Sequence, residues 1–475
     1  MPINPIPINK GVFKTQNQRN VRNTEFADNL INMFIDNAGG NYDRPTLDLY
    51  KTLGSGEPLG MYPFFGGLAV VTFDRNIYFI DSLGGVTNIT GVSLPGSNRP
   101  RFADDGDSLY ITGGEEPIQW GGVGNLTALI PGAPPNATHC VYLDGFLILN
   151  RRLEAENNKV IQWSGFEDTT SWPGINIFSA VSDPDEVEGL TSSQRELYVV
   201  GQDTCEIWQN VGTSPVPFSR SHIWQYGTRA PNSILSVDNS VIFLDQDKRF
   251  LRFSGRQFSR ISEAIEEELS KYSTVDDCIT SSFTWNGALY MLALFPTAGK
   301  AWSINLNDGQ WSEWRGFKNG QWQRPRINCA VYDQTTNTSY AGDYSTGRIF
   351  QFSETTATDA GNTFVRSRSF SQRDLGGSVR KIANFVRINM RRDVANSYTG
   401  TIPETDPSFE LRWKDDGKDW SKWRTIPIGK KGELRHYVEF HRLGIYRTRQ
   451  YEWRISDPAK LNITSVETDE EVMAS

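Results

Sequence analysis

The sequence predicts an all-β protein: a β-propeller, followed by a smaller β-sandwich and preceded by an extended arm. Three observations carry that prediction. Ser233 to Ser262 packs a whole supersecondary unit into thirty residues; the unit recurs along the chain; and from Thr363 the pattern changes to longer, strictly alternating strands.

In the first of these, the apolar run Ile234-Leu235-Ser236-Val237 stops at Asp238-Asn239, a turn pair whose side chains tolerate a left-handed backbone and bond it locally. Val241 to Leu244 follows as a strand, Asp245-Gln246-Asp247 turns the chain, and Phe250 to Phe253 forms the next strand. Ser254-Gly255 turns it again before Phe258 to Ile261. Four antiparallel strands in one unit make a propeller blade.

The core of the unit is an apolar strand, a polar turn and a strand ending in an aromatic. It recurs at Ile77-Tyr78 with Ile80, Leu109-Tyr110 with Ile118-Gln119-Trp120, and Phe146-Leu147 with Ile161-Gln162-Trp163. Further copies lie at Leu197-Tyr198 with Ile207-Trp208, Leu289-Tyr290 with Ala301-Trp302, and Ser339-Tyr340 with Ile349-Phe350. Spacings of roughly 30 to 50 residues bracket those of propeller blades. Seven blades are expected over residues 51–358, with six as the fallback if the weak unit at 339–353 joins the following domain. Trp120, Trp163, Trp208 and Trp302 are expected to be buried between blades.

Composition permits this reading. The chain has 475 residues, 38% of them hydrophobic, with 14 Trp and 42 Gly, enough for two or three cored domains rich in turns. No run of eighteen apolar residues exists and MPINPIPINKG has no apolar h-region, so neither a membrane span nor a secretory signal is expected. Cys140, Cys205, Cys278 and Cys329 lie far apart without a CxxC pair and read as buried free thiols; no metal site or cofactor is expected.

Residues 1–50 differ in character from the blades. Pro2, Pro5 and Pro7 alternate with Ile3, Ile6 and Ile8, then comes an Asn-rich run with one apolar anchor, Leu30 to Phe34. This is an extended arm whose Pro-Ile alternation favours docking, on the chain's own body or on a neighbour. Between blades, Ser262 to Tyr272 reads as a short amphipathic helix, with Ser262 as N-cap and Ile261, Ile265, Leu269 and Tyr272 on one face.

Residues 359–475 form the second domain. Val386-Ile388-Met390, Phe409-Leu411-Trp413 and Tyr451-Trp453-Ile455 alternate with polar residues; with 365–371, 423–427, 434–442 and 461–467 they make about seven strands of a β-sandwich or jelly roll. Between 361 and 456 there are 20 Lys and Arg against 11 Asp and Glu, a surplus of +9; the whole chain is −8, which leaves −17 elsewhere. Arg387, Arg391, Arg412 and Arg454 all occupy the polar side of such strands. If those strands share a sheet, they form one guanidinium face, a candidate assembly interface with acidic faces of neighbouring subunits. Nucleic acid is the alternative occupant, but acids are interspersed and no RNA-binding motif accompanies the arginines.

Catalytic chemistry finds little support. Asp415-Asp416-Gly417-Lys418-Asp419-Trp420 is similar to the Asp-box turn of sialidases, itself a structural hairpin, and no carboxylate pair is singled out by spacing. No HExxH, GxSxG or GxxxxGK[ST] is present, and no catalytic residue is expected. A carbohydrate-binding or glycan-degrading propeller remains the competing class.

An ordered set of short motifs resembles a known family. Gly227 to Ser233, Phe243 to Asp247, and Arg260-Ile261-Ser262 with Ala264-Ile265-Glu266 are followed by Leu292 to Pro296, Trp302 and Gly309 to Trp314. Trp420-Ser421, Trp423-Arg424, Gly429 to Glu433, Arg442-Leu443-Gly444, Arg447 and Arg454 to Pro458 continue the order, and Met1-Pro2-Ile3 with Asn32-Met33 agrees. Each is weak alone; the ordered set is similar to the tail accessory, or packaged-DNA-stabilising, proteins of short-tailed bacteriophages. The chain departs in having Phe295 where a second Leu is usual before Pro, a change of packing rather than role. The resemblance implies a virion tail nozzle subunit assembled in the host cytoplasm. In that picture, about six copies form a homo-oligomeric ring by heterologous contacts that close by rotation. The ring lies below the portal and its adaptor, beside tail needle or fibre proteins, and passes double-stranded DNA without reading its sequence.

Overall fold

The computed structural model describes residues 3–6, 8, 29–36, 38–54, 56–122, 124, 126–153, 158–180, 185–214, 216–354, 358–370, 379–391, 407–430, 433–434, 436–457, 459–460 and 462–473. Most of the arm, residues 9–28, and the Lys431-Gly432 and Pro458 motif positions lie outside them. The chain divides into two compact units: Leu49–Ala298 with Arg326–Gln351, and Met1–Asp48 with Gly299–Pro325 and Phe352–Ser475. The second unit is therefore assembled from three stretches of sequence. Residues 299–325, which the repeat spacing assigns to the propeller, fall in it.

The first unit is a propeller. Its first five blades each have four antiparallel strands, opening on Pro58–Phe64, Arg101–Asp104, Cys140–Leu143, Val187–Ser193 and Leu235–Val237, and the first two are joined into one eight-stranded sheet by parallel pairing of Val86–Gly91 with Leu126–Leu129. A sixth begins with the hairpin Ile279–Trp285 and Ala288–Phe295. The seventh comprises Cys329–Asp333, Thr338–Gly342 and Arg348–Ser353, flanked by the N-terminal strand Thr46–Thr52, so early sequence completes the last blade. The Leu53 N–H donates to Gly347 O at 2.6 Å at that seam, and Tyr50 meets Tyr340 at 4.9 Å between ring centroids. The fold is thus seven-bladed. In the fifth blade, the strands run Leu235–Val237, Ser240–Leu244, Phe250–Ser254 and Gln257–Arg260. Asp238 and Asn239 both sit at φ near +50°, as a two-residue hairpin turn requires, and Asp245 Oδ1 accepts from the N–H groups of Asp247 and Arg249.

Cores form between blades. Leu109, Ile111, Ile118 and Trp120 pack on Phe64, Ala69, Val71 and Ile77; Val141, Ile148, Ile161, Trp163 and Phe178 pack on Leu190, Leu197, Val199 and Phe218. Trp120, Trp163 and Trp302 are buried, whereas Trp208 is half-buried. The reason is position: Trp208 stacks on Phe178 at 3.9 Å with its Nε1–H donated to Glu206, leaving part of the ring open. All four cysteines are buried and free. Phe295 is buried against Phe250 and Tyr272, a packing role. The expected helix shortens to Glu266–Ser270, and Ser262 does not cap it through its side chain; the hydroxyl donates to Glu266 Oε1 and accepts from the Phe250 N–H. Ile265 and Leu269 are fully buried, so the apolar face forms as its spacing implies.

The second unit is a two-sheet sandwich. One sheet orders Met33–Ile35, Asn41–Asp43, Asn462–Val472, Lys381–Met390 and Tyr437–His441, with Ile3–Ile6 also paired to Asn462–Val472. The start of the arm therefore docks on the chain's own C-terminal strand, Ile3 opposite Asp469 and Ile6 opposite Val466. In the other, Arg366–Ser369, Arg449–Ile455, Ser408–Asp415 and Arg424–Pro427 lie side by side. Strict alternation is realised: Phe409, Leu411, Trp453 and Ile455 are buried between the sheets with Val386, Ile388, Phe440 and Val466, and Phe409 meets Phe440 at 6.4 Å.

That interior also holds charge. Arg44, Arg366, Arg368 and Arg449 are fully buried. Arg44 is bidentate on Asp359 at 2.8 and 3.2 Å, donates to Asn32 Oδ1 and Pro45 O, and lies 4.3 Å above the Trp314 ring. Asn32 adopts φ 59° to reach that position.

Candidate assembly surface

The four arginines expected to form one face belong to different places. Arg412 and Arg454 lie on the neighbouring strands Ser408–Asp415 and Arg449–Ile455, whereas Arg387 lies on Lys381–Met390 in the other sheet. Arg391 is exposed just past the end of that strand, its N–H donated to Asn462 O. A single four-arginine face therefore does not form, because the strands carrying them divide between the two layers of the sandwich.

Each strand arginine finds its carboxylate inside its own sheet. Arg412 stands directly opposite Glu452 and Arg454 opposite Glu410, with Nε donating at 2.6 and 2.5 Å. Arg387 stands opposite Glu439 on one side and Glu467 on the other, bonding Glu439 through Nε at 2.6 Å. That bond, outweighing desolvation, holds its guanidinium above the ordinary value. Cross-strand opposite charges contribute roughly 0.2–1 kcal/mol per pair. Alternation reveals the side of the sheet on which these residues lie; it carries no information on what stands opposite, so sequence reasoning misses the glutamates.

Trp420 and Trp423, which the sequence marks only as motif positions, also belong to this face. Trp423 lies between the Arg412 and Arg454 guanidiniums, 4.5 and 4.3 Å from its ring, and Trp420 lies 4.6 Å from Arg412. Such contacts contribute on the order of 0.5–1 kcal/mol at exposed sites. The available signal is the W-x-x-W spacing beside two alternating strands. Around this face, Lys418, Lys422, Arg424, Arg442 and Arg447 are exposed.

The Asp-box-like turn is consumed structurally. Asp416, at φ 50°, accepts the N–H groups of Arg447 and Thr448; burial would raise its carboxyl, but these two donors outweigh it and hold it below the ordinary range. Asp415 is bidentate on buried Arg449 at 2.5 and 2.8 Å. Neither carboxylate is left over for acid–base work. Among the described residues no three His, Cys, Asp or Glu side chains converge as a metal site, and no helix is long and apolar enough to cross a membrane.

A seven-bladed propeller and a β-sandwich define the class as an all-β protein. A family model described as Bacteriophage P22 Gp10, beta-propeller matches residues 71–357, more than half of the chain. The chain belongs to that family of phage tail proteins of packaged-DNA stabilisation. No curated protein matches it. Among solved structures it is similar to a streptogramin B lyase (11% identity, TM-score 0.45, covering 65% of this chain and 97% of that one). It is also similar to the computationally designed Ika8 protein (10%, 0.41, 65% and 99%) and to virginiamycin B lyase from Staphylococcus aureus (9%, 0.43, 62% and 94%).

Proposed function

We propose that the chain is a structural nozzle subunit of a short-tailed phage, working without cofactor or catalysis. About six copies close a ring by head-to-tail contacts below the portal and adaptor, next to needle or fibre proteins, continuing the DNA channel and retaining the packaged genome. The observation that carries this reading is the family match over residues 71–357. The glycan-acting alternative has no observation in its favour, since Asp415 and Asp416 are held by Arg449 and by backbone N–H groups.

In the assembly surface, Arg387, Arg412 and Arg454 act with their glutamates to hold the strand faces flat. Arg391, with the exposed cations Arg424, Arg442 and Arg447, reaches the acidic surface of a neighbour. Exposed pairs contribute roughly 0–1 kcal/mol each, so a network is required. The test is phage made without this chain: particles should fill and then lose their DNA to nuclease, and the added chain should restore retention. Particles that keep their genomes in its absence would sink the proposal.

A further inference from the structure

The third blade departs from its neighbours in one connection. Its last two strands, Val160–Trp163 and Ile177–Ser179, are joined by thirteen residues, 164–176, where the corresponding strands of the first, second, fourth and fifth blades are joined by two to seven. Connections of that length are uncommon in a compact fold, and they are where binding functions concentrate.

The loop is fixed by its own hydrogen bonds. The Gly165 N–H donates to Ser171 O and the Glu167 N–H to Gly145 O, both at 2.8 Å. Trp172 Nε1–H donates to Thr169 O at 2.8 Å, and the Asn176 amide to Ser164 O at 3.2 Å. Phe166 touches Phe146, 5.5 Å between ring centroids, yet is 63% exposed; Ile175 is 61% exposed. The only charged residues of the loop, Glu167 and Asp168, are both exposed acids. The result is an ordered knob, apolar at its tip and acidic beside it, whose apolar groups bury little within the propeller. Such a group held rigidly in water is suited to burial by a partner, because its ordering cost is already met.

The sandwich carries a surface of the opposite character. Ile382 stands across from Ile445, which is 53% exposed. Beside them lies a groove lined by Ile382, Ala383, Asn384, His441, Arg442 and Gly444, at the bulge where register against the C-terminal strand shifts between Ala383 and Phe385. Arg380, His441 and Arg442 are exposed on its rim, and no carboxylate pairs with Arg442 among the described residues. The acids nearby are already engaged: Glu471 accepts from the Asn384 amide at 3.3 Å, and Glu439 is shared by Arg387 and His441.

A ring closed by head-to-tail contacts needs two different, complementary patches on one chain. An apolar knob flanked by acids and an apolar groove flanked by arginines meet that need, with an aromatic anchor at the centre and opposite charges at the rim. Resting on the ring reading given above, we propose that the 164–176 loop of one subunit docks in the sandwich groove of a second copy, with Phe166 against Ile382 and Ile445, and Glu167 and Asp168 beside Arg442. A second copy is the occupant because the two halves of the contact, matched in charge, stand on the same chain. The proposal names the acidic surface that Arg442 reaches.

The test adds the full chain to particles made without it. Chains carrying Gly174→Cys, where a Cβ meets nothing within 4 Å, and chains carrying Arg380→Cys are mixed, assembled and treated with a short bis-maleimide. The four native cysteines are buried, so the new thiols are the ones that react. A covalent dimer on denaturing gels of the mixed particles, absent from particles of either variant alone, supports the contact. Phe166→Ser, at an exposed position, should melt within about 2 °C of the unaltered chain yet join particles about tenfold less. Monomer alone from mixed particles that hold their DNA, or normal entry of Phe166→Ser, overturns the docking and leaves the nozzle reading standing. An unaltered chain that fails to restore DNA retention overturns both.

Discussion

Replacing Asp359 by Asn isolates the cost of a buried charge in the sandwich. The Asp359 and Arg44 side chains are 5% and 0% exposed, and no water competes for the guanidinium. Asn keeps the shape and can still accept the Leu47 N–H that Asp359 Oδ1 accepts at 3.2 Å. What disappears is the counter-charge, leaving Arg44 with Asn32, Pro45 and the Trp314 and Phe364 rings. Breaking a buried pair in this way costs about 3–5 kcal/mol. For a unit of about 200 residues, at about 2–4 °C per kcal/mol, the melting point should fall by about 6–20 °C. Tryptophan fluorescence reports it, since Trp314 lies under the guanidinium. The double variant Arg44→Met with Asp359→Asn removes the stranded charge and should recover at least ~1–2 kcal/mol of the loss. An Asp359→Asn chain melting within about 2 °C of the original, or a double variant less stable than the single, would refute the reasoning.

The blades were legible because what makes them is local. Apolar strands of period two and turn pairs such as Asp238-Asn239 are decided within thirty residues. The sandwich strands were legible for the same reason. Closure was not: the segment Thr46–Thr52 carries no mark showing that it lies beside Arg348–Ser353, some 300 residues later. The buried arginines escaped for a related reason. A guanidinium is buried only when its partners are in place, and Asp359 is 315 positions from Arg44. Trp208 shows the limit of a marker residue, since the same strand-ending aromatic that is buried at Trp120 and Trp163 is only half covered there. In the candidate surface the arginines themselves were legible, but their glutamates depend on register between strands 40 to 80 positions apart.

Trp163→Ala should cost about 3–5 kcal/mol, because the ring is fully buried among Phe178 and Phe218, and Trp208→Ala clearly less; equal losses in urea midpoints would contradict the burial difference. Glu313 is buried, which alone would raise its carboxyl, but Arg315 at 2.5 Å and Lys300 at 2.8 Å outweigh that and hold it below the ordinary value. A depressed folded-state pKa contributes stability above the unfolded value of roughly 4.3, lost as pH falls through the folded value. Stability of the unaltered chain should therefore drop more steeply below about pH 4 than that of Glu313→Gln, and parallel pH profiles would disprove it. The last expectation concerns the surface. Arg412→Glu sets a carboxylate opposite Glu452 and removes the contacts to Trp420 and Trp423, about 1–2 kcal/mol together. Arg412→Glu with Glu452→Arg re-forms the pair in reverse without the Trp contacts, so it should regain only the ion-pair share of that stability and still join the tail. Arg391→Glu with Arg424→Glu touches no cross-strand ion pair among the described residues and gives up only the Arg424 contacts to His441 O and the Trp413 ring; it should lose no more than about 1–2 kcal/mol yet fail to enter particles, because these exposed cations are the ones proposed to meet a neighbour. If the reversed pair blocks assembly while the exposed double variant assembles, the strand arginines meet the partner directly and the division of roles argued from their glutamates is wrong.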